Sequence, residues 1–293
     1  MALGTSFKVV LKHCHENCVT DVNVYGKWIG DQGARDLADA LQCNDSVTSI
    51  NLSQNEIGYE GAKALGEVLN GNSTITSLNM YGNPIDDDGI RMLMRGLLPR
   101  GSKLLTAITF LDLSSCNIKN DGTKVMSDTL KSNHILKTLI LRSNLIGDVG
   151  MKSVAEALKA NSSVTTINFS QNNFGSDGAR SFFATLNSNK SITNVNLSEN
   201  SIDDQAAHVL GQTLEVNSTL LQLDINGNLI GRPGAISIAN GLKSNNALTS
   251  LYFSNNGFGS SAAAAIADAL CVNTILTTLH IAGNKCDDEV NVS

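Results

Sequence analysis

The chain has 293 residues, a formal charge of -6 and a mean hydropathy of -0.02, with 42% hydrophobic residues but only 4% aromatic ones. The acidic balance disfavours a general nucleic-acid surface, and no stretch approaches the ~20 apolar residues of a membrane span. So few rings argue against an aromatic core and fit thin stacked layers of Leu, Ile, Val and Ala.

Met1 to Lys8 has no charged segment followed by an apolar run, so it does not read as a secretion signal. Phe7 to Asn17 reads as the helix of an incomplete unit, with Val10 and Cys14 on its apolar stripe. Residues 1–18 are therefore expected to cap the first strand layer.

From Val19 a single grammar repeats. Val47-Thr-Ser-Ile-Asn-Leu-Ser-Gln-Asn55 returns as Ile75-Thr-Ser-Leu-Asn-Met-Tyr-Gly-Asn83 and as Val164-Thr-Thr-Ile-Asn-Phe-Ser-Gln-Asn172. Units begin at Val19, Val47, Ile75, Ile108, Leu136, Val164, Ile192, Leu220, Leu248 and Leu276, a step of 28 residues except for 33 between Ile75 and Ile108. Residues 19–284 thus make about ten repeats, with an insertion near 98–107, and 285–293 form a tail.

Within each unit, apolar residues at the first, fourth and sixth positions alternate as in a short strand, with pairs such as Ile50 and Leu52 pointing inward. An Asn follows at the ninth position in eight units, from Asn55 to Asn284, where a buried side chain can satisfy the backbone of its own bend and of a neighbour. Lys27 and Cys116 take that place in the other two. Next comes an apolar residue and then Asp, Asn or Ser, such as Asp31, Asp148 and Ser176, expected to cap a helix. A Gly two residues on, such as Gly61 or Gly178, is expected to let helix and strand approach. Apolar residues four and eight positions after it, such as Leu65 and Leu69, give one helical face.

Each unit is therefore strand, bend, helix and return. No unit buries its apolar face alone, so the units stack. Strands stack about 4.8 Å apart while helices need about 10 Å. The result is an α/β fold: a curved, right-handed solenoid with a parallel sheet on its concave face and helices on its convex face. These residues resemble the ribonuclease-inhibitor-like leucine-rich repeat, in the pattern L-x-x-L-x-L-x-x-N-x-I-G-x-x-G-A-x-x-L-x-x-x-L, over Val19 to about Asn284. Similar repeats occur in cytoplasmic nucleotide-oligomerisation receptors and in Ran GTPase-activating proteins. The resemblance implies a non-catalytic scaffold that binds another protein. Scattered cysteines suggest free thiols in the cytoplasm, and with the charge and hydropathy above the chain is expected to be a monomer that engages neither nucleic acid nor membrane. Two alternatives come with the resemblance: a Ran-directed GTPase activator, for which Arg100 in the insertion is the residue to test, and a ligand-sensing or autoinhibitory region of a larger receptor.

On the concave wall, position two is Thr in eight of ten units and position five is usually Asn or Asp. Such constancy reads as scaffold, so departures mark the candidate partner site: Tyr81, Phe110, Lys137, Ile140 and Arg142 in three adjacent units, with Arg100 and Lys103 on the rim. Aromatic and Arg residues are the usual interface anchors. Tyr25, Trp28, Tyr252 and His280 rank second, and Trp28 could instead close the first layer.

No chemistry competes with this. His13, Cys14, His15 and Cys18 lack the second half of a zinc site, and Cys14 fits the buried stripe. Cys116 and Cys286 read as packing residues. Asp86-Asp87-Asp88 lacks the alternating oxygen ligands of a calcium loop. No phosphate loop and no Ser- or Cys-based triad is visible, so neither cofactor nor metal is expected.

Overall fold

In a repeat of 28 residues the strand need only be long enough to align its neighbours. The computed structural model describes residues 6–99 and 106–286, and every strand in it has three residues. The chain divides into two compact units, residues 1–144 and 145–293.

The first unit contains α1 (Phe7–His15), β1 (Asp21–Asn23), α2 (Gly30–Leu41), β2 (Ser49–Asn51), α3 (Tyr59–Leu69), β3 (Ser77–Asn79), α4 (Asp86–Arg95), β4 (Phe110–Asp112), α5 (Asn120–Ser132) and β5 (Thr138–Ile140). Its strands pair in chain order, all parallel, so Val22, Ile50, Leu78, Leu111 and Leu139 form one inward row. Two residues on, Val24, Leu52, Met80, Leu113 and Leu141 form a second buried row. Helical pairs such as Leu37 with Leu41 and Leu65 with Leu69 cover them, each at most 2% exposed.

The second unit repeats the plan with α6 (Asp148–Ala160), β6 (Thr166–Asn168), α7 (Ser176–Leu186), β7 (Asn194–Asn196), α8 (Asp204–Val216), β8 (Gln222–Asp224), α9 (Arg232–Ser244), β9 (Ser250–Tyr252), α10 (Gly259–Leu270) and β10 (Thr278–His280). Its inward row is Ile167, Val195, Leu223, Leu251 and Leu279, again in parallel register. Here the compositional expectation needs correcting. Phe169, Phe174, Phe182, Phe183, Phe253 and Phe258 are all buried, so the few aromatic residues do build a core, concentrated in one unit. Phe169 and Phe253 occupy the inward strand position that Val, Leu, Ile or Met fills elsewhere, so the repeat pattern treats them as large aliphatic equivalents.

Two ladders of asparagine hold successive repeats together. At the bend, Asn83 accepts the N–H groups of Asn55 and Ile57 from the preceding repeat, both at 3.0 Å, and donates to the carbonyls of Leu52 and Met80. Asn55 bonds the backbone of Lys27, Ile29, Val24, Leu52 and Ser53 in the same way. The expected bend ladder is thus present, and it is built of charge-free amides whose donors and acceptors are both used. A second ladder, which sequence reasoning missed, runs three residues before the first position of most repeats. Asn44 accepts from the N–H groups of Ser46 and Val47 and donates to Cys14 O at 2.7 Å, and Asn72 in turn donates to Asn44 O. In the second unit Asn217, Asn245 and Asn273 do the same.

The helix caps also differ from expectation. Asp31 lies inside the first turn of α2, and its carboxylate accepts the N–H groups of Gly58 and Gly61, at 2.7 and 2.9 Å, at the start of α3. Asp204 serves Gly231 and Gly234 at the start of α9, and Asp148 serves Gly175 and Gly178 at the start of α7. Each Asp therefore caps the next repeat's helix, where the unpaired N–H groups and the helix dipole favour a negative charge. Among the described residues Asp203 alone has a recorded side-chain cap on its own helix. The glycine at the cap is required by this arrangement: a Cβ on Gly61 would meet Asp31 Oδ1 and Ala34 Cβ of the preceding helix, both at 2.9 Å. The close approach is thus helix against helix and its capping carboxylate, in place of the expected helix against strand.

Candidate functional site

The polar face of the first unit's sheet is largely committed to holding itself. Thr48, Thr76 and Thr109 each donate a hydroxyl to the position-two carbonyl of the preceding rung, at 3.1 to 3.2 Å. Asn51, Asn79 and Asp112 at position five accept the N–H two residues on, from Ser53, Tyr81 and Ser114. This closes a side-chain-mimicked turn. It delivers the chain to position eight, where Gly26, Gln54, Gly82, Ser115 and Ser143 all have left-handed φ between 53° and 70°. The Thr and Asn rows are therefore scaffold.

The departures sit where that scaffold leaves room. Phe110 at position three is half-buried, in register with the smaller Ser77 and Thr138. Ile140 stands at position five opposite Asp112, where it presents a half-buried apolar group in place of the turn-closing acceptor. Tyr81 is 37% exposed at position seven, where the second and fourth repeats have the buried Ser53 and Ser114. Lys137 and Arg142 are exposed at positions two and seven of the fifth repeat. Their backbone still joins the scaffold, since Lys137 N–H donates to Thr109 O and Arg142 O accepts from Ser115. Phe110 and Ile140 thus alternate with the buried Leu111 and Leu139 on β4 and β5, and Tyr81, Lys137 and Arg142 flank the ends of β3 and β5. Arg100 and Lys103 lie outside the described residues.

The second-rank residues divide. Tyr25 is 53% exposed and its hydroxyl donates to Gln54 Oε1 at 2.9 Å. Trp28 is 72% exposed, with a left-handed φ of 56° at the bend, so it does not close the first layer. Tyr252 and His280 belong to the second unit and stack with centroids 4.9 Å apart.

The cysteines read as packing. Cys14 is fully buried, and burial first, then the neighbouring Cys18, raises its thiol. Burial pushes the Cys116 thiol up to about 12. It stays protonated and donates to Met80 O and Ser114 O at 3.3 and 3.4 Å, in place of an asparagine amide. A protonated, buried thiol is a poor nucleophile. Asp86, Asp87 and Asp88 form the first turn of α4, and Asp87 Oδ1 accepts from Lys119 N–H at 2.7 Å, so one of the three is another shared cap.

Compared with known proteins, the chain matches the family model described as "Leucine Rich repeat" over residues 43–66, 71–94, 105–127, 132–155, 160–183, 216–239 and 244–267. No curated protein matches. Among solved structures it is similar to an internalin C2 from Listeria monocytogenes, with 16% identity, a TM-score of 0.50, and coverage of 78% of this chain and 91% of that one. It is also similar to leiomodin-1 actin-binding site 2, with 21% identity, a TM-score of 0.44, and coverage of 54% of this chain and 87% of that one. The PEPR1–AtPEP1 structure gives 16% identity, a TM-score of 0.48, and coverage of 85% of this chain but 29% of that one. At these identities the likeness concerns the fold alone.

Proposed function

This chain belongs to the leucine-rich-repeat family, and from that premise we propose that it is a non-catalytic scaffold that binds another protein through its strand face, the concave one in a stack of this kind. The carrying observation is the contrast on the first unit's sheet. Residues that recur in most repeats, such as Thr76 and Asn79, bond the backbone, whereas Tyr81, Phe110, Lys137, Ile140 and Arg142 replace those recurrent residue types in three adjacent repeats. Rigid main chain under exposed aromatic and cationic side chains lowers the ordering cost of association and supplies anchors of the usual kind.

A step of 28 residues with one helix per repeat supports the ribonuclease-inhibitor-like subtype. Cysteines placed singly along the chain support the cytoplasm as its compartment, and among the described residues no helix is long and apolar enough to cross a membrane. The Ran-directed alternative rests on Arg100, outside the described residues, and no observation favours it.

The test is affinity capture with the wild-type chain and with a Tyr81→Ala/Arg142→Ala variant of unchanged thermal stability. A partner retained by the first and lost by the second supports the site; equal retention of every partner rejects it.

A further inference from the structure

The strand face of the second unit carries a different charge. Its strand and bend positions, 165–171, 193–199, 221–227, 249–255 and 277–283, contain no Lys or Arg and two carboxylates, Glu199 and Asp224. At position five, Asn196, Asp224, Tyr252 and His280 stand in register on adjacent rungs. The Tyr252 ring tilts against His280 at 42° on one side and neighbours Asp224 on the other.

The recorded partners of both carboxylates are neutral. Asp224 is half-buried and accepts one backbone N–H, from Asn226 at 3.0 Å. Burial first, and the nearby Glu199 charge as well, hold its carboxyl above the ordinary range, while the Asn226 bond works the other way. Glu199 accepts from the neutral amide of Gln171 at 2.8 Å. The ion pairs recorded in this unit, Lys152–Asp177, Lys159–Glu156 and Arg180–Asp177, all lie on the helices. At position two of the same strand row, Leu221 replaces the usual Thr and is 43% exposed.

From this charge pattern we infer that the second unit's strand face docks a basic, extended peptide segment of a partner protein. One Arg or Lys of the segment lies over the Tyr252 ring with its charge between Asp224 and Glu199, and an apolar stem rests on Leu221. Adjacent strands stand about 5 Å apart. A guanidinium can therefore touch the ring face and reach the Asp224 carboxylate together, combining cation–π attraction with a charge-assisted hydrogen bond. The inference rests on the reading of the chain as an interaction scaffold, yet it uses none of the residues of the first unit's site.

The experiment is fluorescence anisotropy with three labelled peptides of equal length: arginine-rich, glutamate-rich, and neutral. They are titrated against the whole chain and against Glu199→Gln, Asp224→Asn, Tyr252→Ala and Tyr81→Ala/Arg142→Ala variants whose thermal unfolding matches the wild type. The arginine-rich peptide is expected to bind at least tenfold more tightly than the other two. Asp224→Asn is expected to weaken it by about tenfold and Tyr252→Ala by about threefold, while Tyr81→Ala/Arg142→Ala leaves it unchanged. Glu156→Gln, on a helix, controls for general attraction to the acidic chain. Preference for the arginine-rich peptide that survives in Asp224→Asn and Glu199→Gln, or falls equally in Glu156→Gln, overturns the inference. So does the absence of any preference, and that result leaves the first unit's site to stand or fall on its own capture experiment.

Discussion

The two units solve one repeat pattern with opposite placement of their rings. In the first, the core is aliphatic and the larger polar rings are exposed, Tyr25 53%, Trp28 72%, Tyr59 39% and Tyr81 37%, with Phe7 and Phe110 half-buried. In the second, six phenylalanines are buried, and the described ring at the strand face with a neighbouring partner is Tyr252, against His280. Surface charge differs too: the first unit's strand face mixes Lys137 and Arg142 with Asp21 and Asp112, whereas the second unit's carries Glu199 and Asp224 and no Lys or Arg. Identical backbone grammar therefore carries two chemically distinct surfaces. What separates them is the minority of positions that depart from the repeat.

The largest expected effect tests the core side of this comparison. Phe182→Ala removes a fully buried ring and is expected to cost about 3–5 kcal/mol in urea unfolding. Tyr81→Ala, an equal loss of a ring from the first unit's surface, is expected to stay within about 0.5 kcal/mol. Similar costs for both would mean that Tyr81 is a packing residue.

Next come the ladders, which the two units share. Asn55→Ala removes five side-chain-to-backbone hydrogen bonds at the bend, among them the one that holds Ile29 N–H, and is expected to cost about 3 kcal/mol. Asn273→Ala, in the ladder at the other edge of the sheet, should cost an amount of the same order. Cys116→Ala removes a weaker donor with no amide oxygen behind it and is expected to cost about 1 kcal/mol. A Cys116 variant as damaging as the Asn55 variant would show that the ladder is not what sets these costs.

The shared caps rank third. Asp31→Ala and Asp204→Ala, one in each unit, are each expected to cost about 1–2 kcal/mol. The loss should appear as faster hydrogen exchange at Gly61 and Gly234 respectively, in the next repeat. Protection lost only within α2 or α8 would restore the own-helix cap that the sequence pattern implies.

The smallest effect has the opposite sign. Burial and Glu199 raise the Asp224 carboxyl in the folded chain, so the folded state binds a proton more readily than the unfolded one. The charged form is thus a cost, present above the folded value and relieved as pH falls toward the ordinary carboxylate range. Asp224→Asn keeps the oxygen that accepts from Asn226 and is expected to stabilise the chain slightly at pH 7, with no gain in acid, as read by thermal unfolding across pH.

Much of the fold is legible because it recurs. The step of 28 residues, the inward rows through Ile50 and Leu139, and the bend asparagines are all readable from period alone. The second ladder is equally periodic, with Asn44, Asn72 and Asn217 each three residues before the first position of a repeat. It escapes notice because an Asn near a helix end reads as an ordinary stop signal. The shared caps mislead for a physical reason. Asp31 satisfies N–H groups 27 and 30 residues downstream, and no local pattern tells that bond from a cap on its own helix. The pattern places Phe169 and Phe253 inward, but the clustering of six buried phenylalanines is hidden by composition, since an average over the chain conceals a concentration in one half. At the candidate site, the pattern identifies Tyr81 and Arg142 as exceptions, but only the hydrogen bonds of Thr76 and Asn79 show that the surrounding regular residues are occupied.

That separation of scaffold from surface is the central claim, and a crossed measurement on adjacent side chains of one rung tests it. Asn79→Ala and Tyr81→Ala are each assayed for thermal unfolding and for retention of a partner captured by the wild-type chain. The expected result is that Asn79→Ala lowers the melting temperature while the protein that remains folded still binds, and that Tyr81→Ala leaves the melting temperature unchanged and loses the partner. A Tyr81→Ala chain that melts early and binds normally would contradict it.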